Sequence, residues 1–177
     1  ISCIIRNYLL GKWVLYVSAN KSSHITVTKG ERDNGCVGAY ALAVYNRDSS
    51  FTTRLSNDNG YIIYTDSVDK ILVAYAGTDI ALTLPSAITE VYKFAFCDRQ
   101  NLVSVVIGDN VKRIGKQAFS LCENLTSVIF RNSNGWIVEV NSWTSYNLST
   151  EDLSNKATAA EYLRDTYQYA SWVRTDT

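Results

Sequence analysis

The sequence predicts an α/β repeat fold, a short solenoid with a β-rich N-terminal cap and a C-terminal helical cap. Two observations carry that prediction. Residues 102–124, LVSVVIGDNVKRIGKQAFSLCEN, recur on both sides at an interval of 23. Upstream, Leu82, Leu84, Ile88, Val91, Ala95, Phe96 and Asn101 stand where this unit has Val105, Ile107, Val111, Ile114, Ala118, Phe119 and Asn124, and downstream LTSVIF repeats LVSVVI. Within the unit, the apolar spacing also changes from two to three and four. Together these describe one strand and one return per coil, with like residues stacked between coils.

The chain is 177 residues long, 46% apolar and 12% aromatic, which is enough to build a core. Seventeen basic and seventeen acidic residues cancel, and no basic run breaks the balance, so neither nucleic acid nor an acidic membrane surface is indicated. It begins at Ile1 and contains no methionine, as a processed form would. The opening ISCIIRNYLL is interrupted by Arg6 and Asn7 and falls well short of the ~20 apolar residues a membrane span needs. No membrane insertion is expected.

Residues 13–17 (WVLYV) and 24–28 (HITVT) are β-rich runs expected to pair with each other. Over residues 37–45 nearly every position is apolar, which fits a buried strand or a short buried helix, the strand being preferred. Residues 1–57 are therefore read as a β-rich N-terminal cap or small module that covers the first edge of the repeats. In 61–75, two β-branched runs flank Asp66-Ser67-Val68-Asp69, a hairpin leading into the first coil. Residues 58–140 then form the hairpin plus the coils.

Within the central coil, residues 103–107 are mostly β-branched, so a strand should place Val105 and Ile107 in the core and Ser104 and Val106 outside. Gly108, Asp109 and Asn110 end that strand, as Pro85 does one coil earlier. Val111, Ile114, Ala118 and Phe119 have the spacing of a short helical return, and Phe119 should stack over Phe96. Residues 136–140 read as a final strand. In 141–177, a capping segment with one helix, Thr158-Ala159-Ala160-Glu161 reads as a capping box and Ala160, Leu163 and Tyr167 follow at helical spacing, with Trp172 and Val173 returning along the helix.

The motif Ile114, Ala118, Phe119, Cys122, Leu125 resembles the BspA-type leucine-rich repeat of bacterial and protist surface proteins. The upstream coil departs from it, with Arg99 at the cysteine position and Cys97 two places earlier. Residues 59–85, the NGWIV at 134–138 and the tail at 158–174 are also similar to opening and closing segments of such proteins. The resemblance implies an extracellular or cell-surface location and a role in adhesion to a host matrix or cell-surface protein.

Four cysteines, Cys3, Cys36, Cys97 and Cys122, allow a disulfide framework, but the chain is large enough to fold without one. Cys122 reads as a buried thiol, with a Cys97–Cys122 bridge between coils as the sharper alternative. His24 is the only histidine and lies among serines. No nucleophile elbow, phosphate loop, dinucleotide fingerprint or zinc signature occurs, and Glu151-Asp152 sit in a polar connection. The chain is accordingly expected to be no enzyme and to need no cofactor or metal.

The expected ligand-binding residues lie on the outward strand positions: a column Ala81, Ser104, Ser127 beside a column Thr83, Val106, Ile129. Two stacked aliphatics on an outward face suit a protein-docking surface or a covered one. A second reading, carbohydrate binding, is prompted by Trp136, Trp143, Tyr146, Tyr162, Tyr167, Tyr169 and Trp172 in the C-terminal third, against ordinary packing of those rings. A third is a structural spacer in a longer surface protein.

Overall fold

The computed structural model describes residues 2–7, 13–20, 23–28, 55–65, 68–75 and 77–175. β1 (Ser2–Asn7), β2 (Trp13–Asn20) and β3 (Ser23–Thr28) form an antiparallel sheet, with Leu15 beside both Ile5 and Val27. The runs at 13–17 and 24–28 therefore pair as expected, and residues 2–7 add a strand the periodicity did not disclose. The apolar run at 37–45 lies outside the described residues.

β4 (Leu55–Asp58), β5 (Tyr61–Thr65) and β6 (Lys70–Tyr75) are antiparallel neighbours, so the hairpin expected over 61–75 is present and gains a third strand. Asn59 and Gly60, both at positive φ, turn β4 into β5, the Asn-Gly chemistry that a tight hairpin favours.

The repeats follow as β7 (Ala81–Thr83), β8 (Glu90–Val91), β9 (Ser104–Ile107), β10 (Arg113–Ile114) and β11 (Ser127–Phe130). β7, β9 and β11 make a parallel sheet with Leu82, Val105 and Val128 in one row, while β6, β8 and β10 pair in parallel on a second sheet with Leu72, Val91 and Ile114 in one row. Between the sheets the equivalent residues Leu84 and Ile107, Ile88 and Val111, Ala95 and Ala118, and Leu102 and Leu125 are all buried in one core. Phe96 and Phe119 are fully buried, their rings stacked at 4.9 Å and 8° apart. This is a sheet-rich repeat fold with few helices.

The return is not the expected helix. After the two residues of β10 come successive turns, with Gln117 and Leu121 at φ 58° and 59°, and Phe94 and Asp98 hold the same left-handed backbone one coil earlier. Two such residues per coil are incompatible with a right-handed helix. The backbone groups find partners in the next coil instead: Phe96 N–H donates to Ala118 O at 2.8 Å and Asp98 N–H to Ser120 O at 2.9 Å.

Beyond β11 the chain continues as β12 (Trp136–Asn141), β13 (Thr144–Asn147), α1 (Thr150–Ser154), α2 (Lys156–Glu161), a π-helical turn over Tyr162–Thr166 and β14 (Ser171–Arg174). The strand expected at 136–140 is present but not final. β14 enters antiparallel between β10 and β12, giving an eight-stranded sheet ordered β13-β12-β14-β10-β8-β6-β5-β4. Trp172 and Val173 thus lie within this sheet, where Trp172 is buried among Phe130, Trp136 and Tyr167, and do not run along a helix.

The helical capping also differs from expectation. Asn155, not Thr158, caps α2, its side chain accepting from Ala157 N–H and Thr158 N–H. Asn155 wins because its short amide reaches two orphan donors at once. Glu151 and Asp152, expected in a polar connection, form the first turn of α1, capped by Ser149 accepting from Asp152 N–H at 3.0 Å. Leu153, Ala159, Ala160 and Leu163 are buried, and both helices pack against β11.

Candidate functional site

The parallel register of β7, β9 and β11 brings the expected residues together. Ala81, Ser104 and Ser127 are direct neighbours, as are Thr83, Val106 and Ile129. Adjacent strands are ~4.8 Å apart, so the two columns form a shallow patch about 10 Å across. Thr83 is exposed, and Ser104, Val106, Ser127 and Ile129 are half-buried. The alternate residues Leu82, Val105 and Val128 are buried, which fixes the patch on the outward side of the sheet. Its polar column offers hydroxyls and its apolar column β-branched methyls, a combination suited to contact and not to bond making.

The coils bearing this patch are joined by ladders of side-chain amides as well as by strands. Asn101 Nδ2 donates to Thr78 O at 2.9 Å, and its equivalent Asn124 donates to Gln100 O at 2.6 Å. Arg99, where the repeat motif has cysteine, is buried with its guanidinium 5.0 Å from the Tyr75 ring centroid. It donates to the carbonyls of Gly77 and Tyr75, tying the end of β6 to the first coil. No residue type in the sequence signalled that role.

Cys122 is buried and free, its thiol donating to Phe96 O at 3.0 Å, and burial pushes its pKa up to about 12. Such a thiol has no nucleophilic character near neutrality. Cys97 is disulfide-bonded while Cys122 is free, so the Cys97–Cys122 bridge does not form. The sulfur of Cys97 instead lies 3.1 Å from Ser120 Oγ, the group one repeat below it. Equivalent places for 97 and 120, not for 97 and 122, are what the 23-residue interval sets.

Among the described residues, no group of three or more His, Cys, Asp and Glu is arranged to hold a metal ion, and no helix is long and apolar enough to cross a membrane. His24 falls on β3, where only the backbone is described. The C-terminal aromatics divide into two sets. Trp136 and Trp172 are buried and Tyr162 and Tyr167 pack against them or each other, whereas Trp143, Tyr146 and Tyr169 are exposed.

A family model described as a BspA type leucine rich repeat region, in 6 copies, matches residues 74–163. No curated protein matches the chain. Among solved structures, the chain is similar to a leucine rich cell surface protein from Faecalibacterium prausnitzii A2-165, at 23% identity and a TM-score of 0.42, over 46% of this chain and 24% of that one. It is also similar to a leucine-rich repeat protein from Bacteroides capillosus ATCC 29799, at 19% identity and a TM-score of 0.42, over 46% of this chain and 67% of that one. The chain thus spans about a quarter of the length of the first of these neighbours.

Proposed function

The chain belongs to the BspA-type leucine-rich repeat family, whose model covers half of it, and from that membership we propose that it is a non-enzymatic, surface-exposed recognition scaffold. In this reading residues 58–140 form a short solenoid, closed on one side by the β-rich segment 1–57 and on the other by the helical segment 141–177. Its location is extracellular or at the cell surface. The partner is a protein of the host matrix or another cell surface, bound through Thr83, Ser104, Val106, Ser127 and Ile129.

The observation that supports the reading is the row Thr83, Val106, Ile129 on adjacent parallel strands. Repeat families bind by presenting such columns over an extended sheet, and longer arrays gain avidity from many weak contacts. The test is the double variant Val106→Lys and Ile129→Lys, assayed by adhesion to immobilised extracellular matrix alongside thermal unfolding. Adhesion should be lost while Tm stays nearly unchanged, because both side chains are only half-buried. A large fall in Tm would mean that the face is internal and that no partner docks there.

A further inference from the structure

The tip of the β12–β13 hairpin carries a feature that the packing of the fold does not use. Trp143 is 95% exposed, the largest side chain of the chain turned fully to solvent among the described residues. Its backbone is nonetheless held: Asn141 Oδ1 accepts from Trp143 N–H at 2.9 Å, closing a side-chain turn, and the strand pairing shifts register between Glu139 and Asn141. Shifts of this kind bend a hairpin and re-aim the side chains at its end. The indole is therefore presented on a fixed backbone at the end of the eight-stranded sheet.

Beside it opens a cavity of about 590 Å³ on the outer side of that sheet. Trp143 and Val140 give it apolar surface, and the rest of the lining is polar, including Lys116, Glu139, Ser145 and Ser171. Ser171, Glu139 and Ser145 are neighbours in register across β14, β12 and β13, so three hydrogen-bonding groups of the lining stand in one row. Lys116 supplies donors, Glu139 acceptors, and the two hydroxyls either.

We propose that this cavity is a carbohydrate-binding site, separate from the surface on β7, β9 and β11, with Trp143 as its stacking plate. A pyranose ring is the ligand whose chemistry the lining complements. One of its faces presents C–H bonds that carry slight positive charge and lie well on the electron-rich face of an indole, and its rim presents hydroxyls that both donate and accept. An extended apolar peptide would find one aromatic and one valine. Nucleic acid would find one lysine set against one glutamate.

The experiment applies the whole chain to an array carrying mammalian oligosaccharides and bacterial polysaccharides, which also separates the two sources of such a ligand. Wild type should bind at least one glycan at concentrations up to about 1 mM, and Trp143→Ala should weaken that binding about tenfold or more, as removal of a central aromatic contact does. Its Tm should not change, because the indole is 95% exposed among the described residues. Glu139→Gln, also exposed, should weaken the same glycan, while Val106→Lys with Ile129→Lys should leave it bound. The proposal is overturned if no glycan binds, if Trp143→Ala binds as wild type does, or if Trp143 is needed only for retention on matrix proteins stripped of their glycans.

Discussion

Phe96 and Phe119 lie face to face with their centroids 4.9 Å apart, each fully buried, and so link two coils through a single contact. Phe119→Ala should cost about 3–5 kcal/mol in chemical denaturation, since it removes the ring and leaves a cavity between rigid layers. A cost below ~1 kcal/mol would mean the coils do not stack in this register. Leu121 presents the opposite case: it is 44% exposed and sits at φ 59°, so it has a strained backbone and little packing to offset it. The left-handed region costs an ordinary residue about 1–2 kcal/mol, while asparagine tolerates it. Leu121→Asn should therefore raise Tm, by an amount matching up to about 1 kcal/mol, and a fall would show that the leucine makes contacts that matter more than the strain.

Among the elements, the return between coils is governed by how closely two backbones approach. At Gly115 an added Cβ would lie 2.4 Å from Lys93 N and 2.8 Å from Lys93 Cα, both backbone atoms that cannot step aside. Gly115 N–H donates to Val91 O at 2.8 Å in the same place, so the crowding and the hydrogen bond arise from one close contact. Gly115→Ala should destabilise the chain by about 1–3 kcal/mol, read as a shift in the urea midpoint at constant slope. The equivalent residue one coil earlier is Tyr92, so the glycine is not a mark of the repeat but of this interface. That is why the 23-residue pattern did not single it out.

For the molecule as a whole, two buried acids make stability depend on alkaline pH. Burial raises Cys122 from 9.0 to about 12, and burial together with the hydrogen bond to Asp79 raises Tyr75 from 10.0 to about 12. Both groups bind their protons more tightly folded than unfolded, so their contribution is fully present below pH 9 and is lost as pH rises toward 12. Tm should be flat up to about pH 9 and fall above it, and Cys122→Ala should move the onset upward toward the range where Tyr75 titrates. An onset that does not move would mean another group governs the alkaline limb. The interior of this protein was legible from sequence because stacking writes side-chain identity at a fixed interval: Val105, Ile107, Phe119 and Cys122 occupy the buried places their spacing assigned. The outward columns at Thr83, Val106 and Ile129 followed from the same alternation. The return, the place of β14 and the roles of Arg99 and Gly115 were decided only by the tertiary structure. A two-residue strand is too short to show alternation, and backbone hydrogen bonds between coils are made by peptide groups that every residue shares. Ser171-Trp172-Val173-Arg174 could pair with any open edge, and it is the edge left by β10, beside the ring of Phe130, that fixes where it goes.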